Sequence, residues 1–399
     1  MDLKTLKETI NKWLSIDDEE WLDIIIACAI DRKVKGDPLW LFVVAVPSST
    51  KTEILRAFPE GPEFYHLSSL TANSFISGMT YKEGGKLRKV EDMAVQINGK
   101  VLILKDFTSV LTMAKEKRDE IIGQFREFYD GYYEKKVGSL DKKISVKSNF
   151  GLLAGVTPEI DRYTSIMGKL GERFLKVRSD FDDKKMLELC DINSGNESQM
   201  RREISKAMEG LLKDLKINDV KLSKEILDEI KKYAQFVARM RAPNNSRWEG
   251  SNMVEYLPSK PEKPARIYKQ LIKITKCLCI IYGLKHPSRL ILDRVWRVSK
   301  DSVPPDRMAV YQALLDEGTL NFDHLRVKTN IPPTSSRRII HVMKESGLID
   351  GKFYDERTNE FYLVKEYLPP CINLGLVTQK NKKGVYIPVF PDPGEAEKI

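Results

Sequence analysis

The chain has 399 residues, of which 42% are hydrophobic and 31% charged, with a net charge of +9. That composition excludes a disordered polymer, leaves room for two or three domains, and sets only a mild basic bias of the kind that suits a polyanionic partner. No apolar run approaches the ~20 residues a membrane span requires, and the acid-containing, amphipathic start resembles neither a secretory signal nor a transit peptide.

Residues 2–35 predict two helices. Trp13, Leu14, Trp21, Leu22, Ile25 and Ile26 recur at helical spacing, and Asp17-Asp18 supplies a cap before the second helix. Gly36-Asp37-Pro38 closes this segment. An apolar run from Leu39 then predicts a buried strand, breaks at Pro47, passes through Ser48-Ser49-Thr50, and enters Lys51-Thr52-Glu53 at the head of an amphipathic segment. Strand, tight turn, Lys-Thr and helix is the layout of a phosphate-binding loop. Backbone N–H groups cradle phosphate oxygens, the lysine adds charge, and the hydroxyl can sit on Mg²⁺. The pattern G-x-x-x-x-G-K-[ST] would put glycine at Ala45 and Thr50, so both glycines are replaced. The competing reading is a buried strand followed by a capped helix.

A short strand is predicted from Phe64 to Leu67, followed by a loop and a gap rich in Gly and Lys from Lys82 to Lys89. Val101-Leu102-Ile103-Leu104 predicts a buried parallel-type strand that delivers Asp106 at its C-terminal end, where a phosphate-loop ATPase holds Mg²⁺. A helix from Met113 to Asp130 stops at Gly131. Tyr132 to Val146 alternates around Gly138-Ser139 as a lysine-rich hairpin, with Lys135, Lys136, Lys142 and Lys143 available to phosphates. Phe150 to Val156 predicts another buried strand, ending in Thr157-Pro158, and Glu172-Arg173-Phe174 precedes a further apolar stretch. From Asp182 to Lys285 the pattern is helical, apart from a Pro-, Asn- and Ser-rich gap from Ala242 to Pro264 read as a loop. The helix after it opens Pro264-Ala265-Arg266, with proline in the first turn.

The last unit is patterned differently. Helices are predicted over Arg307 to Glu317, Leu320 to Thr329 and Thr334 to Ser346, and two strands follow, at Leu348 to Tyr354 and Glu360 to Val364. Three helices and a β-ribbon predict a winged helix-turn-helix, with Arg337 and Arg338 near the groove-facing start of the third helix. The five cysteines are scattered, and Cys277-x-Cys279 lacks zinc-ligand spacing, so they read as buried reduced thiols in a cytoplasmic protein.

In this order the elements resemble an AAA+ ATPase, specifically the clade with an extra hairpin before the sensor strand that includes MCM-type helicases. Val46 to Thr52 looks like a Walker A loop, Leu104-Lys105-Asp106-Phe107 like Walker B, and Tyr132 to Val146 like the DNA-touching hairpin. Thr157 falls at sensor 1, Arg173 resembles the arginine finger, and Arg266 is similar to the sensor 2 arginine. The resemblance implies an α/β fold, with an AAA+ three-layer α/β/α nucleotide-binding domain, a helical lid and a winged helix-turn-helix domain. It implies a helical segment over 1–35, a core over 36–180, a lid over 181–300, a winged helix over 301–368 and a tail over 369–399. ATP would be held by Pro47, Ser48, Ser49, Thr50, Lys51 and Thr52, and Mg²⁺ by Thr52 and Asp106. Partners would be single- or double-stranded DNA and further copies of the chain, with a hexameric ring as the form considered, and no membrane. The implied activity is that of a DNA helicase or translocase in replication, of the kind found in mobile genetic elements. The departures keep a second expectation open. Thr50 puts a Cβ where backbone approaches phosphate, and Phe107 stands where a water-polarising Glu would follow Asp106. The alternative is a non-hydrolysing DNA-binding regulatory or loader protein, unless another acid such as Glu127 reaches the γ-phosphate.

Overall fold

The computed structural model describes the chain apart from residues 15, 48–49, 77–79, 84–85, 90, 138–141, 164–171, 180–181, 244–245, 250–251, 257–259, 353–359, 365–377, 381–385 and 389–399. The tail expected over 369–399 therefore falls largely outside the described residues. The chain begins with α1 (Leu3–Leu14), α2 (Glu19–Ala29), β1 (Trp40–Val44), α3 (Lys51–Arg56), β2 (Phe64–Leu67), β3 (Thr80–Glu83) and β4 (Lys86–Lys89). It continues with α4 (Met93–Gln96), β5 (Val101–Leu104), α5 (Thr108–Leu111), α6 (Lys115–Tyr129), β6 (Tyr132–Val137), β7 (Lys142–Lys147), β8 (Gly151–Val156) and β9 (Leu175–Arg178). Then come α7 (Asp183–Asn193), α8 (Glu197–Asp214), α9 (Lys224–Met240), β10 (Ser246–Glu249), β11 (Asn252–Tyr256), α10 (Ala265–Ile281) and α11 (Arg289–Asp301). Last are α12 (Pro305–Glu317), β12 (Thr319–Asn321), α13 (Phe322–Thr329), α14 (Pro333–Glu345), β13 (Ile349–Lys352), β14 (Glu360–Leu363), β15 (Thr378–Lys380) and β16 (Tyr386–Pro388). Contacts divide the chain into two compact units: Met1–Ile226 with Ala265–Ser302, and Leu227–Pro264 with Val303–Ile399.

The first unit is built on a five-stranded parallel sheet in the order β2-β5-β8-β1-β9. All five residues of β1 are buried, as a strand covered on both faces requires. One face carries an aromatic cluster: Phe42 stacks on Phe174 at 4.2 Å, Trp40 meets Phe125, Tyr129 and Phe150, and Phe107 lies 4.8 Å from Phe42. Side chains of α6 close over it. Each fully buried aromatic contributes roughly 1.5–3 kcal/mol. The other face is covered by α2, which is apolar nearly all round and buried from Trp21 to Ala29, as a helix packed on two sides requires. The first 35 residues therefore pack as part of this unit. Beneath β8, Asp31 and Lys273 form a buried ion pair. Gly151 makes room for it, since a Cβ there would lie 2.6 Å from Asp31 Oδ2.

Two hairpins occur where a gap and a loop are expected. β3 pairs with β4 inside the Gly- and Lys-rich gap, and β10 pairs with β11 inside the stretch from Ala242 to Pro264. Gly84-Gly85 between two short alternating runs is a two-residue hairpin signal. The second hairpin's Pro- and Asn-rich flanks mask its strands in composition.

In the second unit, α9 packs with α12 through Phe236 and Tyr311, 4.9 Å apart. Arg307 donates to the carbonyls of Met240 and Ala242, both at 2.6 Å, and so caps the C-terminal end of α9. With α12 go α13, α14 and a three-stranded antiparallel sheet in the order β12-β14-β13, and Thr378–Lys380 pairs antiparallel with Tyr386–Pro388. Leu320 belongs to β12, opposite Phe361, and the second helix starts at Phe322 behind the side-chain cap of Asn321. A short strand before a capped helix keeps the helical spacing in register, which is why the sequence reads as one helix from Leu320. Among the described residues no helix is long and apolar enough to cross a membrane.

Candidate functional site

The sheet has a topological switch point. From β1 the chain travels to the far edge at β2, steps back through β5 and β8, and then passes beyond β1 to β9. The connections leaving β1 and β8 thus run in opposite directions, and right-handed crossovers put them on opposite faces. The C-terminal ends of these neighbouring strands open a crevice of the kind that binds ligands in open α/β sheets.

Lys51 occupies that crevice. It is the first residue of α3, is 7% exposed, and its Nζ donates to Ala45 O at 3.0 Å and Val156 O at 2.9 Å. These carbonyls lie at the C-terminal ends of β1 and β8, where Val156 O also accepts from Ala45 N–H at 3.2 Å. Burial holds the amine below the ordinary lysine range, against an opposing pull from Asp106. Thr50 precedes it in right-handed backbone (φ −63°), so no glycine is needed on conformational grounds. The Thr50 Oγ1 is buried with no hydrogen-bond partner among the described residues. Pro47 is exposed and Thr52 half-buried, while Ser48 and Ser49 lie outside the described residues.

Asp106 sits just past the end of β5 and is exposed; its Oδ1 accepts from Thr108 N–H at 2.8 Å. The next residue, Phe107, donates its N–H to Gly155 O at 2.7 Å and buries its ring in the aromatic cluster. Gly155 has no room for a side chain, because a Cβ would lie 2.5 Å from Lys105 O. Thr157 follows β8, and its N–H donates to Thr108 Oγ1 at 3.0 Å. Lys51, Asp106 and Thr157 therefore share the C-terminal edge of three neighbouring strands.

Two ion pairs at this level escaped the sequence reading. Arg178, the last residue of β9, holds Asp161 through two bonds of 2.8 and 2.6 Å. Glu53, next to Thr52, holds Arg201 of α8 through two bonds of 2.9 and 3.0 Å. Neither has a local sequence signal, since both partners come from distant segments.

Arg173 and Arg266 lie elsewhere. Arg173 precedes β9, so it stands at the N-terminal edge. It pairs with Asp130 at 2.9 Å, lies over the Tyr129 ring at 5.5 Å, and accepts Gln270 Nε2 on its backbone oxygen at 2.6 Å. Burial, with Arg266 nearby, lowers its pKa. Strands of this length separate the two edges by roughly 15 Å, so neither arginine meets Lys51 of its own chain. Glu127, near the end of α6 and beside Tyr133, lies at this same far edge.

The hairpin of β6 and β7 is anchored by Tyr133 and Val146, both buried in the aromatic cluster. Its register sets Lys136 opposite Lys143, Lys135 opposite Ile144 and Val137 opposite Lys142. The side chains of Lys135, Lys136, Lys142 and Lys143 lie outside the described residues, whereas Lys147 is exposed. In the second unit Arg337 is exposed and Arg338 half-buried on α14.

The donor set suits a phosphate-bearing ligand in part. Thr50 Oγ1 is buried without a hydrogen-bond partner among the described residues and Lys51 Nζ lies in the crevice, but two of the three ammonium protons are taken by carbonyls. Among the described residues no group of three or more His, Cys, Asp or Glu could hold a metal. A Mg²⁺ at Thr52 and Asp106 would take its other ligands from phosphate and water, as that ion commonly does. No protein-family model matches the chain, and no curated protein is similar to it.

Proposed function

We propose that the chain is an ATP-binding, DNA-binding protein of the AAA+ type, with a helicase-like motor activity on DNA. The observation that carries this reading is the gathering of Lys51, Asp106 and Thr157 at the switch point of a parallel sheet. Lys51 would hold phosphate oxygens, Thr52 and Asp106 would hold Mg²⁺, and Thr157 would meet the terminal phosphate. Bound ATP-Mg²⁺ supplies a transferable phosphoryl group whose charge the metal neutralises. To engage it, the Lys51 ammonium gives up at least one carbonyl. The exchange is favourable because phosphate is the stronger acceptor.

Placement of Arg173 and Arg266 at the opposite edge supports action on a neighbouring copy's nucleotide, and hence a homo-oligomer. The opposed lysines of the β6–β7 hairpin support contact with DNA phosphates. The three helices and three strands of the second unit support its reading as a winged helix that docks on duplex.

One observation favours the non-hydrolysing alternative. Phe107 is committed to the core, so the residue after Asp106 gives no carboxylate for polarising water. ATP turnover with and without single-stranded DNA decides between the two, comparing wild type with Lys51→Ala and Asp106→Asn. Turnover that rises with DNA and is lost in both variants is expected. A wild type that binds ATP but turns over no more than the variants would leave a nucleotide-regulated DNA-binding module.

A further inference from the structure

Phe322 opens α13, and two guanidinium groups lie over its ring. Arg326, one turn further along α13, places Cζ 5.9 Å from the ring centroid, and Arg337, near the start of α14, places Cζ 5.5 Å from it. The ring itself is only 8% exposed. An aromatic face attracts each cation. Asp323 lies 3.6 Å from Arg326 Nη1. Arg326 Nε is buried and has no hydrogen-bond acceptor among the described residues. The Nη donors of two planar guanidinium forks held beside one ring match the oxygens of a phosphate diester.

We propose that Phe322 is a positioning residue that holds Arg326 and Arg337 as a two-pronged clamp on one backbone phosphate of duplex DNA. The clamp rests on the reading of the second unit as DNA-binding. It brings in two residues from the helix before α14, and it gives Arg337 a grip on the backbone that is independent of sequence. The i, i+4 spacing of Phe322 and Arg326 on α13 puts ring and guanidinium on one helix face, and α14 delivers the second fork.

The test uses the full chain, a short labelled duplex of mixed sequence, and affinity measured across a salt series. Arg326→Gln and Arg337→Gln are each expected to weaken binding and to lower the salt slope by about 1. Their combination is expected to lose less than the product of the single effects, because both forks serve one phosphate. Phe322→Leu keeps apolar bulk but no π face, and is expected to weaken binding about three- to tenfold. Phe322→Tyr, which keeps the face, is expected to bind like wild type. Melting curves establish that each variant is folded. A folded Phe322→Leu with wild-type affinity overturns the clamp, as do fully multiplicative arginine effects, and a loss in Arg337→Gln alone would then leave DNA binding by this unit standing. Should Phe322→Leu fail to fold, the combination of the two arginine variants decides. If Arg326→Gln, Arg337→Gln and Arg338→Gln all bind duplex as wild type does, the DNA-binding reading of this unit falls together with the clamp.

Discussion

Lys51 has two roles in one position. Its ammonium satisfies the Ala45 and Val156 carbonyls at the strand ends, and it is the cation at the mouth of the crevice. Lys51→Met is therefore expected to lose nucleotide binding and also to destabilise the first unit by about 1–3 kcal/mol, because two buried carbonyls lose a charged donor. Denaturant unfolding and titration with a fluorescent ATP analogue measure the two effects separately. Thr52→Ala is expected to weaken Mg²⁺-dependent binding while leaving stability within about 0.5 kcal/mol. Phe107 behaves differently. Restoring an acid there with Phe107→Glu is expected to cost about 3–5 kcal/mol and to bring no gain in turnover, since the side chain enters the aromatic cluster instead of the crevice. His66, on the edge strand β2, meets Phe58 O at 2.9 Å, and burial holds its pKa below the ordinary value of 6.5. The unfolded chain thus takes up the proton first, so stability is full above 6.5 and falls as pH drops toward the folded pKa. His66→Gln is expected to flatten this acid-side slope in melting temperature, and an unchanged slope would place the proton uptake elsewhere.

At the scale of elements, the β6–β7 hairpin couples a buried anchor to a charged ribbon. Tyr133 and Val146 fix its base in the core, and the register then sets Lys136 opposite Lys143 along the backbone. Lys136→Ala and Lys143→Ala are each expected to reduce the salt slope of single-strand binding by about 0.7, the value for one phosphate contact on a single strand. Neither is expected to destabilise the fold, because both lie beyond the hairpin's buried anchor at Tyr133 and Val146. Binding with an unchanged slope in both variants would remove the hairpin from the DNA contacts. The alternation of Tyr132 to Val146 around Gly138-Ser139 made this hairpin legible in sequence. The β10–β11 hairpin was not legible, since its strands are short and their flanks carry Pro and Asn, residues typical of loops.

For the whole molecule, the distribution of arginines sets the assembly that catalysis would need. Arg173 and Arg266 stand at the edge of the sheet away from Lys51, so a chain acting alone has no arginine from this pair at the Lys51 crevice. Lys51→Ala and Arg173→Ala are each expected to abolish turnover alone. Mixed together, they are expected to recover part of it, because some interfaces then pair an intact Lys51 site with an intact Arg173. Titrating one variant into the other while following phosphate release checks this, and a mixture as inactive as its components would make Arg173 a structural partner of Asp130.

What the sequence determined by itself was local and sequential. A buried strand leading into Lys51-Thr52, a second delivering Asp106 and a third ending at Thr157 all followed from apolar runs and the polar residues at their ends, because strands covered on both faces must be apolar throughout. Their adjacency needed the tertiary structure. Strand order, which brings β1, β5 and β8 together, is set by long-range pairing that no local pattern encodes. The same holds for Arg173, whose residue type allowed a finger but whose edge of the sheet was set by the packing of β9 beside β1. It holds for Phe107, where an aromatic cluster assembled from separate segments decided that the ring faces the core. Contacts between residues far apart in the chain depend on which faces are buried together, and that is settled only when the whole sheet and its covering helices close.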